Sequence, residues 1–310
     1  MTGMPRSGTT GVGSVLASAP RAAYFYEPLN PLSGLRSVDD YFLFAGPSGP
    51  DATLTRQLNQ VFGLDLRLRS GIWRSDPAWR RAVKTVTGSR SRVSGVRCRL
   101  DPTLRTVVWK DPFASFLVPL LRERLGIPAV ITVRSPEAAA ASFKRLGWGF
   151  DLDRVRRHLD ELTPGAAYLD DAIPWERSTE GSALNGALLW RLVYGYLDAT
   201  LPAPGTHDGG GPVFWANSRA LIASPQETYA HMFQKVGLPF GEPTRREIVG
   251  LYADTGTSEP SATRAHDSKR NVNEANSYWS RTLSDSEKGD VAALTADVRA
   301  GVESRIGSLG

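Results

Sequence analysis

Apolar positions along the chain fall into two spacings, and the spacing changes element by element. In TTGVGSVLAS (9–18), Val12, Val15 and Leu16 recur at helical intervals, and Ala19-Pro20 ends the run, which predicts a short helix. In AAYFYEPLNP, the run Tyr24-Phe25-Tyr26 favours a strand, and Pro28 and Pro31 stop it. Residues 35–100 are harder to read. GPSGP (46–50) is a loop, while TLTRQLNQVFGLDLRL and PAWRRAVKTVTG carry apolar residues at mixed spacings of three and four, which predicts a helical insertion.

The middle of the chain has the clearest rhythm. LRTVVW (104–109) predicts a buried strand, followed at once by KDP. FASFLVPLLRERLG (113–126) places Phe113, Phe116, Leu117, Leu120 and Leu121 on one helical face, with Gly126 as its stop. PAVITV (128–133) predicts a second strand. SPEAAAASFKRLG (135–147) predicts a helix with Ser135 as N-cap, Pro136 at the first position and Glu137 in the first turn. Further on, LNGALLWRLVYGYLDATL (184–201) reads as a long, largely buried helix and VFWAN (213–217) as a strand. SPQETYAHMFQKVGLPF (224–240) reads as a helix closed near Gly237, and a final helix runs from about Asp285 to Ile306. Segment 255–271 is polar and aperiodic, either a linker or a loop that orders on a ligand.

Strand–helix–strand–helix order implies parallel strands joined by crossover helices. The expected fold is therefore α/β: one domain over 1–310, with a central parallel β-sheet flanked by helices, in the manner of a three-layer P-loop nucleotide-hydrolase-like sandwich.

Composition narrows this picture only slightly. Apolar residues at 41% support a substantial core, and the net charge of +5 fits an anionic ligand or cofactor. A basic total spread along the chain is weak support for nucleic acid, which is not expected as a partner. Cys98, the single cysteine, permits no intrachain disulfide and is expected to be a buried structural residue. No apolar run reaches the roughly 20 residues needed to span a bilayer, and no leader pattern opens the chain, so a cytoplasmic protein is expected. Only two residues precede Gly3, so either the first strand is very short or the start was assigned too late.

The chemistry begins at GMPRSGTT. Gly3 and Gly8 have the spacing of a phosphate-binding loop, which aims backbone N–H groups and a helix dipole at an anion. The nucleotide-triphosphatase version needs Lys after the second glycine; here Thr9 stands there and the cation is Arg6, inside the loop. Asp111 is the nearest candidate to hold magnesium, but Lys110 beside it competes with a metal. A phosphosulfate, bound without metal, suits such a loop.

GMPRSGTT resembles the 5′-phosphosulfate loop of sulfotransferases that use 3′-phosphoadenosine 5′-phosphosulfate (PAPS). The resemblance implies a second signature, an Arg at a strand end and a Ser eight residues later. Arg134 closes PAVITV, and Ser142 follows at that interval. The likeness is nearest to the branch of protein-tyrosine, carbohydrate and many bacterial sulfotransferases, where KDP follows a strand as in VVWKDPF, and where FYEPLNP looks like the acidic segment after the first helix. The resemblance covers roughly 3–31, 104–148, 184–240 and 255–283, and it gives no match for 35–100. Ser218-Arg219 departs from the Tyr-Glu pair of that branch.

By resemblance, Glu27 is the base that takes the acceptor proton, and Lys110 and Arg6 stabilise charge growing on the transferred group. Arg6, Ser7, Gly8, Thr9 and Thr10 would hold the 5′-phosphosulfate, Arg134 and Ser142 the 3′-phosphate. Lys269 and Arg270, ten and nine residues before Trp279, would lie in a cofactor-covering loop at 255–271. The implied activity is sulfuryl transfer from PAPS, without metal, to a hydroxyl of a carbohydrate or small molecule. A P-loop kinase or nucleotide hydrolase, and a non-catalytic nucleotide-binding module, are the alternatives. Among the aromatics, Trp73, Trp79 and Trp148 are candidates to line an acceptor cleft. The four histidines show no metal-ligand spacing.

Overall fold

The computed structural model describes residues 1–72, 76–170, 172–206, 208–253 and 277–307. The chain is mixed α/β. Helix α1 (Thr9–Ala17) leads into strand β1 (Ala22–Tyr26), and helices α2 (Ala52–Phe62), α3 (Ala78–Thr87) and α4 (Arg90–Leu100) follow. Strand β2 (Thr106–Lys110), a 3₁₀ segment (Pro112–Leu117), α5 (Val118–Leu125), β3 (Ala129–Val133) and α6 (Pro136–Leu146) form the middle. Then come α7 (Leu152–Leu162), α8 (Ala183–Thr200), β4 (Val213–Asn217), α9 (Ser218–Ala223), α10 (Pro225–Lys235), α11 (Glu242–Tyr252) and a long helix at Asp285–Gly307.

Two short parallel pairs carry the architecture. β1 pairs with β2, Tyr26 opposite Lys110, and β3 pairs with β4, Val133 opposite Asn217. Residues 1 and 2 lie between the pairs. Asp111 N–H donates to Met1 O at 3.1 Å on one side; on the other, Thr2 N–H donates to Val130 O at 2.8 Å and Thr132 N–H to Thr2 O at 2.9 Å. The short run before Gly3 is thus hydrogen-bonded to strands on both sides.

Alternation along β3 shows why helices cover both faces. Ala129, Ile131 and Val133 join a cluster with Leu188, Leu189 and Trp190 of α8. Val130 points the other way, into a cluster with Val12, Val15 and Leu16 of α1, Tyr229, Met232 and Phe233 of α10, and Ile248 of α11. Successive side chains of a strand point to opposite faces, so a continuous apolar run such as AVITV is stable only when both faces are covered. A third cluster joins Ala23 and Phe25 of β1 to Leu54, Leu58 and Val61 of α2 and to Cys98 of α4. Helices α2 and α4 are thereby packed against the β1–β2 pair. Burial pushes the Cys98 thiol up to about 11, consistent with an inert core thiol.

Several expectations shift in detail. The single helix expected over 113–126 is a 3₁₀ segment followed by α5, because Pro119 sits at the first turn of a new helix. TLTRQLNQVFGLDLRL is helical only to Phe62, where Gly63 caps it. Helices α4 and α11 were not anticipated as separate elements. α7 is strongly charged, with only Leu152, Val155 and Leu159 buried. Segment 255–271 lies outside the described residues. Among the described residues no helix is long and apolar enough to cross a membrane.

Candidate functional site

Parallel strands end on one edge, and side chains just past those ends converge. The loop Gly3–Gly8 follows residues 1–2, Glu27 follows β1, Lys110 and Asp111 end β2, and Arg134 follows β3. Two of these residues are held in backbone conformations that side-chain-bearing residues rarely adopt. Arg6 has φ of 76° and Glu27 of 42°. Such conformations persist where the surroundings over-determine them, and they concentrate at sites of function.

The loop is tightly made. Ser7 N–H donates to Met4 O at 3.1 Å. Its hydroxyl donates to Met4 O at 2.7 Å and meets the Thr132 hydroxyl at 2.7 Å. The Ser7 hydroxyl therefore points inward. Gly8, the N-cap of α1, sits at φ 95° with no atom within 4 Å of where a Cβ would stand. α1 has no side-chain cap. Among the described residues, the N–H groups of 8 to 11 find no intramolecular acceptor, whereas Val12 N–H already reaches Gly8 O at 3.3 Å. These are the donors a helix start offers to an anion.

Arg6, Ser142 and Arg134 come together at this loop. Arg6 Nε donates to Ser142 Oγ at 3.0 Å, and Arg134 Nη1 donates to Arg6 O at 3.3 Å. Arg6 also stacks its guanidinium 5.6 Å from the Trp148 ring centroid. Trp190 Nε1 donates to Arg134 O at 2.9 Å, which ties the strand end to buried α8. The two anion pockets expected from sequence thus share a wall, since Arg6 touches the serine expected to serve the other pocket.

On the neighbouring pair of strands, the Lys110 ammonium donates to Glu27 Oε1, and both residues are buried. Asn30 Nδ2 donates to Glu27 Oε2 at 2.8 Å. Burial pushes the Lys110 ammonium below its ordinary range, and the Glu27 carboxylate works against that shift. The Tyr26 hydroxyl joins the halves of the site: it hydrogen-bonds both Glu27 and the Thr10 hydroxyl, and burial together with the Glu27 charge raises its pKa.

Asp111 has a different task from holding a metal. One oxygen accepts from Leu29 N–H at 2.7 Å and the other from Phe113 N–H at 3.0 Å. It clamps the segment carrying Glu27 to the end of β2. Burial, then the Glu27 charge, holds its carboxyl up at about 7. Among the described residues, no group of three or more His, Cys, Asp and Glu is arranged to hold a metal ion.

Of the expected site residues, Arg6, Ser7, Gly8, Thr9, Thr10, Glu27, Lys110, Arg134 and Ser142 lie along this edge. Thr9 is buried and Thr10 half-buried. Lys269 and Arg270 lie outside the described residues, as does Trp73. Trp148 does border Arg6, while Trp79 stands 65% exposed on α3. Sequence reasoning gave no part to the Tyr26 hydroxyl or to Arg90, whose guanidinium lies 4.3 Å from the Tyr26 ring centroid. The only prior signal for Tyr26 was its place beside Glu27. Ser218-Arg219 opens α9, where Asn217 caps Arg219 N–H at 2.9 Å.

No protein-family profile matches the chain, and no curated protein matches it. Among solved structures, the sulfotransferase domain from the curacin biosynthetic pathway aligns over 95% of this chain and 95% of its own, with a TM-score of 0.44 and 14% sequence identity. A likeness of that depth adds no weight to the site, which stands on its own residues and distances.

Proposed function

We propose that the protein is a PAPS-dependent sulfotransferase of the P-loop sandwich type, a single domain over 1–310 acting in the cytoplasm on a hydroxyl of a carbohydrate or small molecule. One observation carries the reading: Arg6, Arg134 and Ser142 converge on a loop with unfilled N–H donors, and Tyr26 links that loop to a buried acid–cation pair. A triphosphate loop would instead present Lys after Gly8, where this chain has Thr9.

The residues fit a doubly anionic nucleotide. The N–H groups of 8 to 11, the Thr10 hydroxyl and Arg6 would hold the 5′ end. Arg134 and Ser142 would hold the 3′-phosphate, with Lys269 and Arg270 covering it. When bound, PAPS supplies the sulfuryl group and a nucleotide leaving group. Glu27 takes the proton of the acceptor hydroxyl onto a carboxylate oxygen, which makes the hydroxyl oxygen nucleophilic. Lys110 keeps positive charge beside that oxygen, and Arg6 faces the loop, so both oppose negative charge that grows during transfer. Asn30 and the Tyr26 hydroxyl orient the carboxylate, and Asp111 fixes the segment that bears it.

The test is a thermal shift with 3′,5′-adenosine bisphosphate against ATP–Mg²⁺. The bisphosphate is expected to stabilise the protein more, because Arg134 and Ser142 have no 3′-phosphate to meet on ATP. A larger shift with ATP–Mg²⁺ overturns the reading.

A further inference from the structure

Residues 77–100 contain no Asp or Glu, yet they carry Arg80, Arg81, Lys84, Arg90, Arg92, Arg97 and Arg99. Three cations in this part of the chain are neutralised locally: Lys84 by Asp76 at 2.7 Å, Arg67 by Asp65 at 2.6 Å and Arg69 by Asp39 at 2.6 Å. Among the described residues Arg81, Arg92, Arg97 and Arg99 make no ion pair, and neither does Arg90, whose side chain is exposed. What sets Arg90 apart is the ring it lies against. Arg90 opens α4, where a cation opposes the helix dipole, so helix stability does not account for it.

Its position is fixed by the fold. The first turns of α4 are fastened to the backbone around the base. Tyr26 N–H donates to Ser94 Oγ at 3.0 Å, the Ser91 hydroxyl donates to Glu27 O at 3.4 Å, and the Ser89 hydroxyl donates to Ser33 O at 2.7 Å. Arg90 therefore stacks on the Tyr26 ring at 4.3 Å, on the same residue whose hydroxyl touches Glu27. Lys110 Nζ lies 4.5 Å from the same ring but is committed to Glu27. The Tyr26 side chain thus meets the candidate base at its hydroxyl and a solvent-facing guanidinium at its ring.

We infer that the acceptor is anionic: it carries a carboxylate, sulfate or phosphate beside its reacting hydroxyl, and Arg90 receives that group while Glu27 receives the hydroxyl. This rests on the proposed sulfuryl transfer for the identity of the reaction, though not for the anion preference itself. A planar guanidinium accepts such groups through two parallel hydrogen bonds, which also fixes their orientation. The cation pair Arg6–Arg134 is taken up by the loop, so Arg90 gives the acceptor side its own charge. Residues 35–100, which the family resemblance left without a counterpart, become the specificity element.

The test uses paired probes that differ at one group, charged in one member and neutral in the other: 4-nitrophenyl β-D-glucuronide against its C6 amide, and 4-hydroxyphenylacetate against its amide. Each is titrated calorimetrically into the full chain, with and without saturating 3′,5′-adenosine bisphosphate. The anionic member of a pair is expected to bind at least tenfold more tightly, about 1.4 kcal/mol. R90K should keep most of that preference, and R90Q should bring the two members together. Equal binding within both pairs, or a preference that survives R90Q, overturns the inference. Lack of bisphosphate binding with the anion preference intact would count against the donor and leave the Arg90 assignment standing.

Discussion

Glu27 and Lys110, separated by most of a hundred residues in the chain, form one buried ion pair where β1 and β2 end side by side. The pairing follows from register. Tyr26 lies opposite Lys110, and Glu27 N–H donates to Lys110 O at 2.7 Å, so the two side chains emerge next to each other. Removing either partner leaves the other buried without compensation, which typically costs about 3–5 kcal/mol. E27Q and K110M should each destabilise strongly in urea titrations, and the double variant should lose much less than the sum. Additive losses would show that the pair is not coupled.

The base role proposed for the same acid is separable from its ion pair. At a temperature where it stays folded, E27Q should bind 3′,5′-adenosine bisphosphate nearly as well as the parent and transfer no measurable sulfuryl group from labelled PAPS. Full activity in E27Q would remove Glu27 as the base.

Arg134 faces the loop through Arg6 O. R134A should weaken 3′,5′-adenosine bisphosphate at least tenfold while changing affinity for adenosine 5′-phosphosulfate, which lacks the 3′-phosphate, much less. Equal losses for both ligands would mean that Arg134 supports the loop only. S142A should act in the same direction with a smaller effect, since it removes a neutral hydrogen-bonding partner of Arg6.

Asp111 makes a prediction about pH. Its carboxyl is held at about 7, against 3.8 for an unperturbed group. Between about pH 4 and 7 the unfolded chain gives up this proton before the folded one does. The folded state then binds more protons, so this residue's contribution to stability falls as pH rises through that window. D111N should flatten that slope. Near pH 4 it should also lower stability by about 1–3 kcal/mol, because one of two buried N–H groups loses its acceptor, and that deficit should shrink as pH rises. An unchanged slope in D111N would assign the pH dependence elsewhere.

Two glycines of the first turn and helix should respond oppositely. At Gly8 an added methyl meets nothing, but the backbone is left-handed. At Gly13 it would lie 2.4 Å from the Tyr24 ring. G13A should therefore reduce stability through overpacking by about 1–3 kcal/mol. G8A should mainly weaken bisphosphate binding, by disturbing the donors at the start of α1. Calorimetric binding and thermal melting on both variants separate the two effects.

Reading the chain without its structure recovered the elements that local chemistry specifies. AVITV had to be a strand covered on both faces, and Ser135-Pro136 had to start a helix; both do. Gly8 and Gly126, read from sequence as a turn glycine and a helix stop, do take left-handed backbone conformations. Other features were illegible for a common reason. α4 has almost no helical periodicity in its apolar positions, because Gly95 and Ser91 are buried there in place of large apolar residues. The clamping role of Asp111 was illegible because nothing in KDP reveals that Leu29 N–H, in the loop after β1, will approach it.

The amino-acid sequence alone determined where the Gly3–Gly8 turn, the parallel strands and their connecting helices would form, since each depends on residues within a few positions of one another. Only the tertiary structure decided that Glu27 pairs with Lys110, that Arg6 reaches Ser142, and that Arg90 stands over Tyr26. Those contacts join residues distant along the chain, and their distances are set by strand register and helix docking, which arise only when the whole core packs.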